Sequence, residues 1–248
     1  MQRTKKRQEE EIQNLLSQHS PSQLDQIIQR TCPFYKDDNG EVTSVYNTLH
    51  SAAQGRILVQ LQIRFENFRV GGENPRDGYS IDGSIEINDG KAEIKAEEGS
   101  KGLAVIEVKT GKIKPLQAAA YSFWEDVPVL TAELETGDVH YLDRQVADIL
   151  LEELLDHHEN IEELRERGER IPGEFQCRNC SREECPHYKE SNYTPDNILE
   201  KKANIFSNID EVVDKLAEEL QSIIEENGYS IRLDGDDSIG QEGKENDS

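Results

Sequence analysis

The sequence is poor in basic residues, and this shortage bears on the partners it can have. Its 248 residues carry 28 Lys and Arg against 51 Asp and Glu, a formal net charge of −23. Nucleic-acid-binding proteins commonly rely on basic patches, so the charge argues against this class. The acidic surplus is spread along the chain, as in a protein from a high-salt cytoplasm, where a Debye length of roughly 3 Å screens repulsion from DNA. Net charge therefore weakens a nucleic-acid role without excluding it.

Long apolar runs are also missing. No stretch approaches the roughly 20 apolar residues that a transmembrane helix needs. The N-terminal segment MQRTKKRQEEE is basic and then acidic with no apolar stretch behind it, which is not the pattern of a secretory signal. We therefore expect a cytoplasmic protein with no membrane partner. In a reducing compartment, clustered cysteines bind metal more often than they form disulfides.

Cysteine is scarce, and its spacing is the most informative feature of the chain. Cys177, Cys180 and Cys185 lie together, and Cys32 is the only other cysteine. A four-thiolate site would use all four, tie residue 32 to the 177–185 region and so close most of the protein like a clasp. Zinc accepts four thiolates, but its sites usually combine two C-x2-C pairs. One distant cysteine with a tight trio favours a 4Fe–4S cluster, in which each iron takes one thiolate.

Hydrophobic periodicity and turn signals predict an α/β fold. The predicted helices cover 4–18, a segment from Ser20, about 44–59, 115–125, about 144–167 with Asp143 as N-cap, and an amphipathic stretch from Pro195 to about Glu226. The predicted strands lie within 60–70 and 79–87, over 103–109, near 128–135 and over 138–142, with Asn88-Asp89-Gly90 as a hairpin turn.

Glu107 and Lys109 are the first candidates for chemistry. They are two residues apart at the end of the apolar strand LAVIEVK, so their side chains project from the same face. A carboxylate that holds a divalent ion, beside an ammonium that orients water and stabilises developing negative charge, suits hydrolysis of a phosphodiester. Such a pair at a strand end is by itself usually a surface pair.

Further candidate groups precede and follow this strand. A metal ion needs oxygen ligands from more than one element, and Asp82 and Glu86 lie on one face of the preceding strand. His50 on the helix before them offers a nitrogen ligand. Gln117 and Tyr121 are four residues apart on the following helix and so share a face. Each has an ordinary structural explanation when taken alone, as a surface acid, a packed histidine or a core aromatic.

Taken together and in this order, these residues resemble the RecB-like branch of the PD-(D/E)XK nuclease superfamily. The likeness rests on His50, the segment from Ile81 to Glu86, the triplet Glu107-Val108-Lys109, and Gln117 with Tyr121. With Cys32 before these motifs and three cysteines after them, the chain is similar to the iron–sulfur CRISPR-associated exonucleases and their viral or archaeal relatives. The likeness spans about residues 20–190.

The resemblance implies a restriction-endonuclease-like mixed sheet flanked by helices, with an iron–sulfur clasp joining its N- and C-terminal parts. It implies Mg or Mn held by His50, Glu86 or Asp82, Glu107 and the carbonyl of Val108. Lys109 would position the attacking water. Gln117 and Tyr121 would contact substrate. One departure is that the family's second-motif pattern places Glu86, not an aspartate, at the carboxylate position, with Asp82 nearby on the same face.

The implied activity is a DNA exonuclease acting on single strands or ends, with a CRISPR integrase and a second copy of the chain as candidate partners. The alternatives are a catalytically weak accessory protein that binds DNA ends, and a zinc-stapled interaction protein. Four segments are expected: a polar N-terminal helix (1–19), the nuclease domain with its cluster (20–190), a helical extension (191–232) and a disordered acidic tail (233–248).

Overall fold

The computed structural model describes residues 5–29, 32–34, 43–65, 68–71, 74–76, 79–87, 102–172, 177, 180, 182–188 and 205–228. These residues form a mixed five-stranded sheet flanked by helices, with a separate two-stranded hairpin. The helices are α1 (Lys5–Gln18), α2 (Pro21–Gln29), α3 (Thr43–Arg64), α4 (Pro115–Glu125), α5 (Arg144–Glu166) and α6 (Ile209–Glu226), the last preceded by a 3-10 turn at Ile205–Asn208. The strands are β1 (Phe68–Gly71), β2 (Asn74–Arg76), β3 (Tyr79–Ile81), β4 (Gly83–Ile87), β5 (Ala104–Lys109), β6 (Val129–Glu133) and β7 (Asp138–Leu142).

The five-stranded sheet has the order β1-β4-β5-β6-β7, and β2 pairs only with β3. Strands β5 and β6 are parallel, while the other neighbours in the sheet are antiparallel. A parallel pair requires a crossover connection, and α4 provides it. The end of β5 and the start of α4 are therefore brought to the same region of the sheet.

Strand β5 is buried and separates two parts of the core. Ala104, Ile106 and Val108 pack in one cluster with residues of α3 and α6, whereas Val105 packs in another with Ala118 and Tyr121 of α4. Since successive side chains of a strand alternate between its faces, Glu107 and Lys109 share the α4 face with Val105. This alternation is what directs both candidate residues towards Gln117.

Most of the predicted elements are found, with two differences at the start of the sheet. Helix α3 continues to Arg64, because Leu61 extends its buried stripe while Ile63 is exposed. The strand expected within 60–70 is therefore shortened to β1. The strand expected over 79–87 is divided at Asp82 into β3 and β4, which pair with different neighbours.

Helix α6 is part of the main core. Its apolar stripe, including Val212, Leu216 and Leu220, is fully buried against α3 and the sheet. At its polar edge Arg56 donates a 2.9 Å hydrogen bond to Asp210. The predicted helix before residue 205, the hairpin at 88–102 (apart from Gly102) and the acidic tail lie outside the described residues. Within the described part, no helix has the length and apolar character needed to cross a bilayer.

Candidate active site and cysteine pocket

The pairing of β4 with β5 decides which carboxylate lies beside Glu107. Gly83 is opposite Ile106, and Ile85 is opposite Ala104. In an antiparallel pair this places Asp82 next to Glu107, while Glu86 lies towards the other end of β5. The backbone N–H of Val108 donates a 2.9 Å hydrogen bond to Oδ2 of Asp82. Asp82 is thereby fixed at the end of β5 that carries the glutamate–lysine pair.

Helix α3 holds Asp82 from the other side. His50 Nε2 lies 3.4 Å from Asp82 Oδ1. Gln54, one turn later, donates a 2.6 Å hydrogen bond to the Asp82 carbonyl oxygen. Residues four apart on a helix share a face, so one face of α3 engages both the carboxylate and the backbone of Asp82.

Gly83 allows this close approach of α3 to β4. A Cβ atom at this position would lie 2.5 Å from Leu58 Cδ2 and 3.3 Å from the Gly71 carbonyl oxygen. Both neighbours would have to move, and one of them is backbone. A larger residue at position 83 would therefore displace the end of the Leu58 side chain on α3 and shift the backbone of β1 at Gly71.

Glu107, Lys109, Gln117 and Tyr121 form one hydrogen-bonded network between β5 and α4. Lys109 Nζ contacts Glu107 Oε1 and donates a 2.9 Å hydrogen bond to Gln117 Oε1. The Gln117 amide nitrogen lies 2.8 Å from both Glu107 Oε1 and the Tyr121 hydroxyl. Gln117 thus holds the lysine with its oxygen and the glutamate with its nitrogen. We call Asp82, Glu107, Lys109 and Gln117 the carboxylate–lysine cluster.

Glu107 is the electrostatic centre of this cluster. Its side chain is 2% exposed. Burial, followed by the nearby Asp82 carboxylate, raises the pKa of Glu107 to about 7, although Lys109 opposes the shift. The hydrogen bond to Asp82 raises the pKa of His50 as well. Two carboxylates close together in a low-dielectric site repel each other, and a bound cation would remove that repulsion.

The two carboxylate oxygens of Glu107 differ in their contacts. Oε1 accepts from Lys109 and Gln117, whereas the buried Oε2 has no hydrogen-bond donor among the described residues. A buried carboxylate oxygen without a donor is costly, and a cation ligated by it would satisfy it. Within the described residues, no three His, Cys, Asp or Glu side chains are grouped so that they could hold a metal ion. Mg²⁺ needs fewer, since it is commonly held by one or two carboxylates together with waters and substrate phosphates.

Three other predicted site residues are placed differently from the four in this cluster. Glu86 lies four residues along from Asp82, which corresponds to about 13 Å of strand, and Ser84 Oγ lies 3.4 Å from its carboxylate. Val108 faces the α3 and α6 side of β5 with its side chain, so it contributes to the site through its backbone. Tyr121 is buried and contacts Gln117, which makes it a support for the network.

All four cysteines line one pocket, which we call the cysteine pocket. Its lining residues are Cys32, Phe34, Arg170, Pro172, Cys177, Cys180, Arg182, Cys185, His187 and Tyr188. Arg170 Nη1 lies 3.3 Å from Cys185 Sγ, and its guanidinium lies 4.6 Å from the centre of the Phe34 ring. The four cysteines therefore line the same pocket, but as they stand no three of these described thiols are grouped so that they could hold a metal ion.

Two contributors were not identified from the sequence. Gln54 follows His50 by one helical turn and is a polar residue on a buried face, which is a usable signal. Asp25 of α2 accepts hydrogen bonds from the backbone N–H groups of Leu116 and Gln117. That contact joins distant segments, and the sequence gives no local sign of it.

Comparisons with protein-family models, with curated proteins and with solved structures find no match to this chain.

Proposed function

We propose that this chain is a metal-dependent deoxyribonuclease that hydrolyses phosphodiester bonds at DNA ends or in single strands. The observation that supports this most directly is the meeting of Asp82, Glu107 and Lys109 at one end of β5. Hydrolysis of a phosphodiester requires stabilisation of a transition state with excess negative charge, and also an activated water. Two carboxylates and a lysine are a set of groups that meets both needs.

The residues fit a divalent cation, Mg²⁺ or Mn²⁺. Among the described residues, Glu107 Oε2 is buried with no donor, and Asp82 Oδ1 makes a long 3.4 Å contact with His50 Nε2. These two oxygens are the ligands that we assign to the ion, with His50 as the residue that orients Asp82. A divalent ion bound there would act as a Lewis acid towards a phosphoryl oxygen and would lower the pKa of a bound water.

Lys109 has a separate role in this proposal. Its side chain is 14% exposed and is fixed by Glu107 and Gln117. An ammonium held in this way can donate a hydrogen bond to the attacking water or to a non-bridging phosphoryl oxygen as charge develops. Because its position is set before substrate arrives, little reorganisation is required during the reaction. Gln117 and Tyr121 maintain that position.

For the cysteine pocket we propose a 4Fe–4S cluster held by Cys32, Cys177, Cys180 and Cys185. The donor set fits, because all four cysteines line the pocket, none of its described lining residues is a carboxylate, and an arginine approaches one sulfur. Such a cluster would supply four iron–thiolate bonds between distant parts of the chain. Its role is structural in this proposal, holding the loop after α2 against the segment after α5.

The experiment that tests the nuclease proposal is a cleavage assay with Mg²⁺ or Mn²⁺ on end-labelled single-stranded and double-stranded DNA. It is run anaerobically at high salt with the wild type, Lys109→Ala and the control Lys112→Ala, which removes a nearby exposed lysine outside the cluster. Activity that is lost in Lys109→Ala and kept in Lys112→Ala supports the proposal. A folded, cluster-loaded wild type that binds DNA ends but cleaves none would instead be an accessory protein.

A further inference from the structure

Helix α4 carries Gln117 and Tyr121 but does not cap its own N-terminus. The residue at the N-cap position, Lys114, makes no capping hydrogen bond with its side chain, and Pro115 follows it. The first backbone N–H groups of a helix have no partner within the helix. They are normally satisfied by a Ser, Thr, Asp or Asn side chain at the N-cap. The N–H groups at the start of α4 must therefore bind a residue from another part of the chain.

Asp25 of α2 provides that function from a distant part of the chain. Its Oδ1 accepts a 3.1 Å hydrogen bond from the Leu116 N–H, and its Oδ2 accepts a 3.1 Å bond from the Gln117 N–H. The two partners are 91 and 92 residues away in sequence. A carboxylate here also interacts favourably with the positive end of the helix dipole. Both oxygens are thus bound to the segment that begins α4.

The environment of Asp25 makes these two bonds important. The residue is 5% exposed. Burial raises the pKa of its carboxyl group, and the two backbone N–H groups oppose that rise. A buried carboxylate is tolerated when it is paired or hydrogen-bonded. A neighbouring hydrogen bond of 3.0 Å, from Lys114 Nζ to the Ser22 carbonyl oxygen, ties the same helix start to α2.

We propose that Asp25 is a positioning residue for the carboxylate–lysine cluster. By fixing the backbone of Gln117, it sets where the Gln117 amide holds Lys109 and Glu107. The structural part of this inference, that Asp25 fixes the start of α4, rests on the hydrogen bonds alone. The catalytic consequence, that Asp25 affects the rate of cleavage, rests on the proposed nuclease function. The helix that carries Asp25, α2, ends at Gln29 and so lies close in sequence to Cys32 of the cysteine pocket.

The catalytic consequence is tested by a double-mutant cycle with Gln117. The variants are Asp25→Ala, Gln117→Ala, the double variant, and the control Ile28→Ala, which removes packing from α2 but leaves the carboxylate. Asp25→Ala is expected to lower kcat by roughly tenfold or more, as misplacement of a catalytic group does, with KM for DNA little changed. In the Gln117→Ala background the same change is expected to cost less than about twofold, since the two residues act as one unit.

Equal losses from Asp25→Ala in both backgrounds would overturn the proposal, because a general destabilisation does not depend on Gln117. So would a kcat in Ile28→Ala that falls as far as in Asp25→Ala. Asp25→Asn, which keeps one good acceptor, is expected to recover part of the lost kcat.

A second measurement separates this inference from the proposed function. Amide hydrogen exchange in the intact, cluster-loaded protein reports directly on the Leu116 and Gln117 N–H groups. Faster exchange at these two amides in Asp25→Ala, but not in Ile28→Ala, supports the structural part even if the wild type cleaves no DNA. Unchanged exchange at both amides would overturn it whatever the cleavage assay shows.

Discussion

The backbone N–H of Val108 donates a 2.9 Å hydrogen bond to the carboxylate of Asp82. This bond brings the bend between β3 and β4 to the end of β5, beside Glu107. The other carboxylate oxygen, Asp82 Oδ1, lies 3.4 Å from His50 Nε2. Of the two carboxylates that the sequence offers as partners of Glu107, the contacts therefore favour Asp82.

The first prediction compares these two carboxylates. Asp82→Ala is expected to lower metal-dependent cleavage by about 10²–10³-fold, the loss typical when one group that stabilises the transition state is removed. Glu86→Ala is expected to stay within a few-fold of the wild type, because its carboxylate contacts Ser84 Oγ and lies away from Glu107. Initial rates with saturating Mn²⁺ check this. The reverse order of effects would assign the metal to Glu86.

The second prediction concerns pH. The pKa of Glu107 in the folded protein is about 7, against 4.5 for an ordinary glutamate. Between these values the folded state binds more protons than the unfolded state. Without divalent ions, the contribution of Glu107 to stability is therefore fully present below about pH 4.5 and is lost as the pH rises through about 7.

Glu107→Gln should remove this part of the pH dependence, whereas Glu86→Gln should leave it as in the wild type. Denaturant unfolding at a series of pH values checks this. A divalent ion binds the deprotonated carboxylate, so Mg²⁺ should raise the unfolding free energy more at about pH 8 than at about pH 6. An equal effect of Mg²⁺ at both pH values would argue against Glu107 as a ligand.

The features of this site that depend on neighbouring residues in the sequence could be predicted, whereas those that depend on contacts between distant segments could not. Helix α4 begins and ends at the predicted residues, and Asp143 caps α5 by accepting a 2.8 Å hydrogen bond from Val146. These features depend on neighbours along the chain. The pairing of Glu107 and Lys109 on one face follows from strand alternation alone and was predicted for the same reason.

The features that were not predicted depend on contacts between distant segments. The choice between Asp82 and Glu86 is set by the register of β4 against β5, and periodicity gives both residues the same face. The bend at Asp82 that ends β3 is likewise set by pairing, because β3 and β4 join different sheets. Asp25 shows the limit most clearly, since it caps a helix that begins about 90 residues later.

The third prediction concerns removal of the proposed cluster. Replacement of any one of the four cysteines by serine is expected to remove iron, sulfide and the absorbance near about 400 nm of an anaerobic preparation. Loss of the cluster should also lower the unfolding temperature, because the site joins two segments that are distant in the sequence.

Tyr188→Phe is the matched control, since Tyr188 lines the same pocket without supplying a thiolate. It is expected to keep both iron and sulfide. Iron and sulfide analysis, zinc analysis and thermal unfolding of each variant check these expectations. A colourless protein that contains one zinc ion and is stable would contradict the iron–sulfur assignment and favour the zinc-stapled alternative.

The fourth prediction concerns Arg170 and the reduction potential of the cluster. Its guanidinium lies 3.3 Å from Cys185 Sγ and is stacked on Phe34. Reduction adds negative charge to the cluster, and a cationic donor on a ligating sulfur stabilises the reduced form most. Arg170→Gln should therefore lower the reduction potential while the iron content stays the same.

Arg167→Gln is the control, since Arg167 is paired with Glu163 on the exposed side of α5. A potentiometric titration followed by electron paramagnetic resonance measures the shift. Equal potentials in Arg170→Gln and the wild type would mean that the arginine holds the segment after α5 against Phe34 without tuning the cluster.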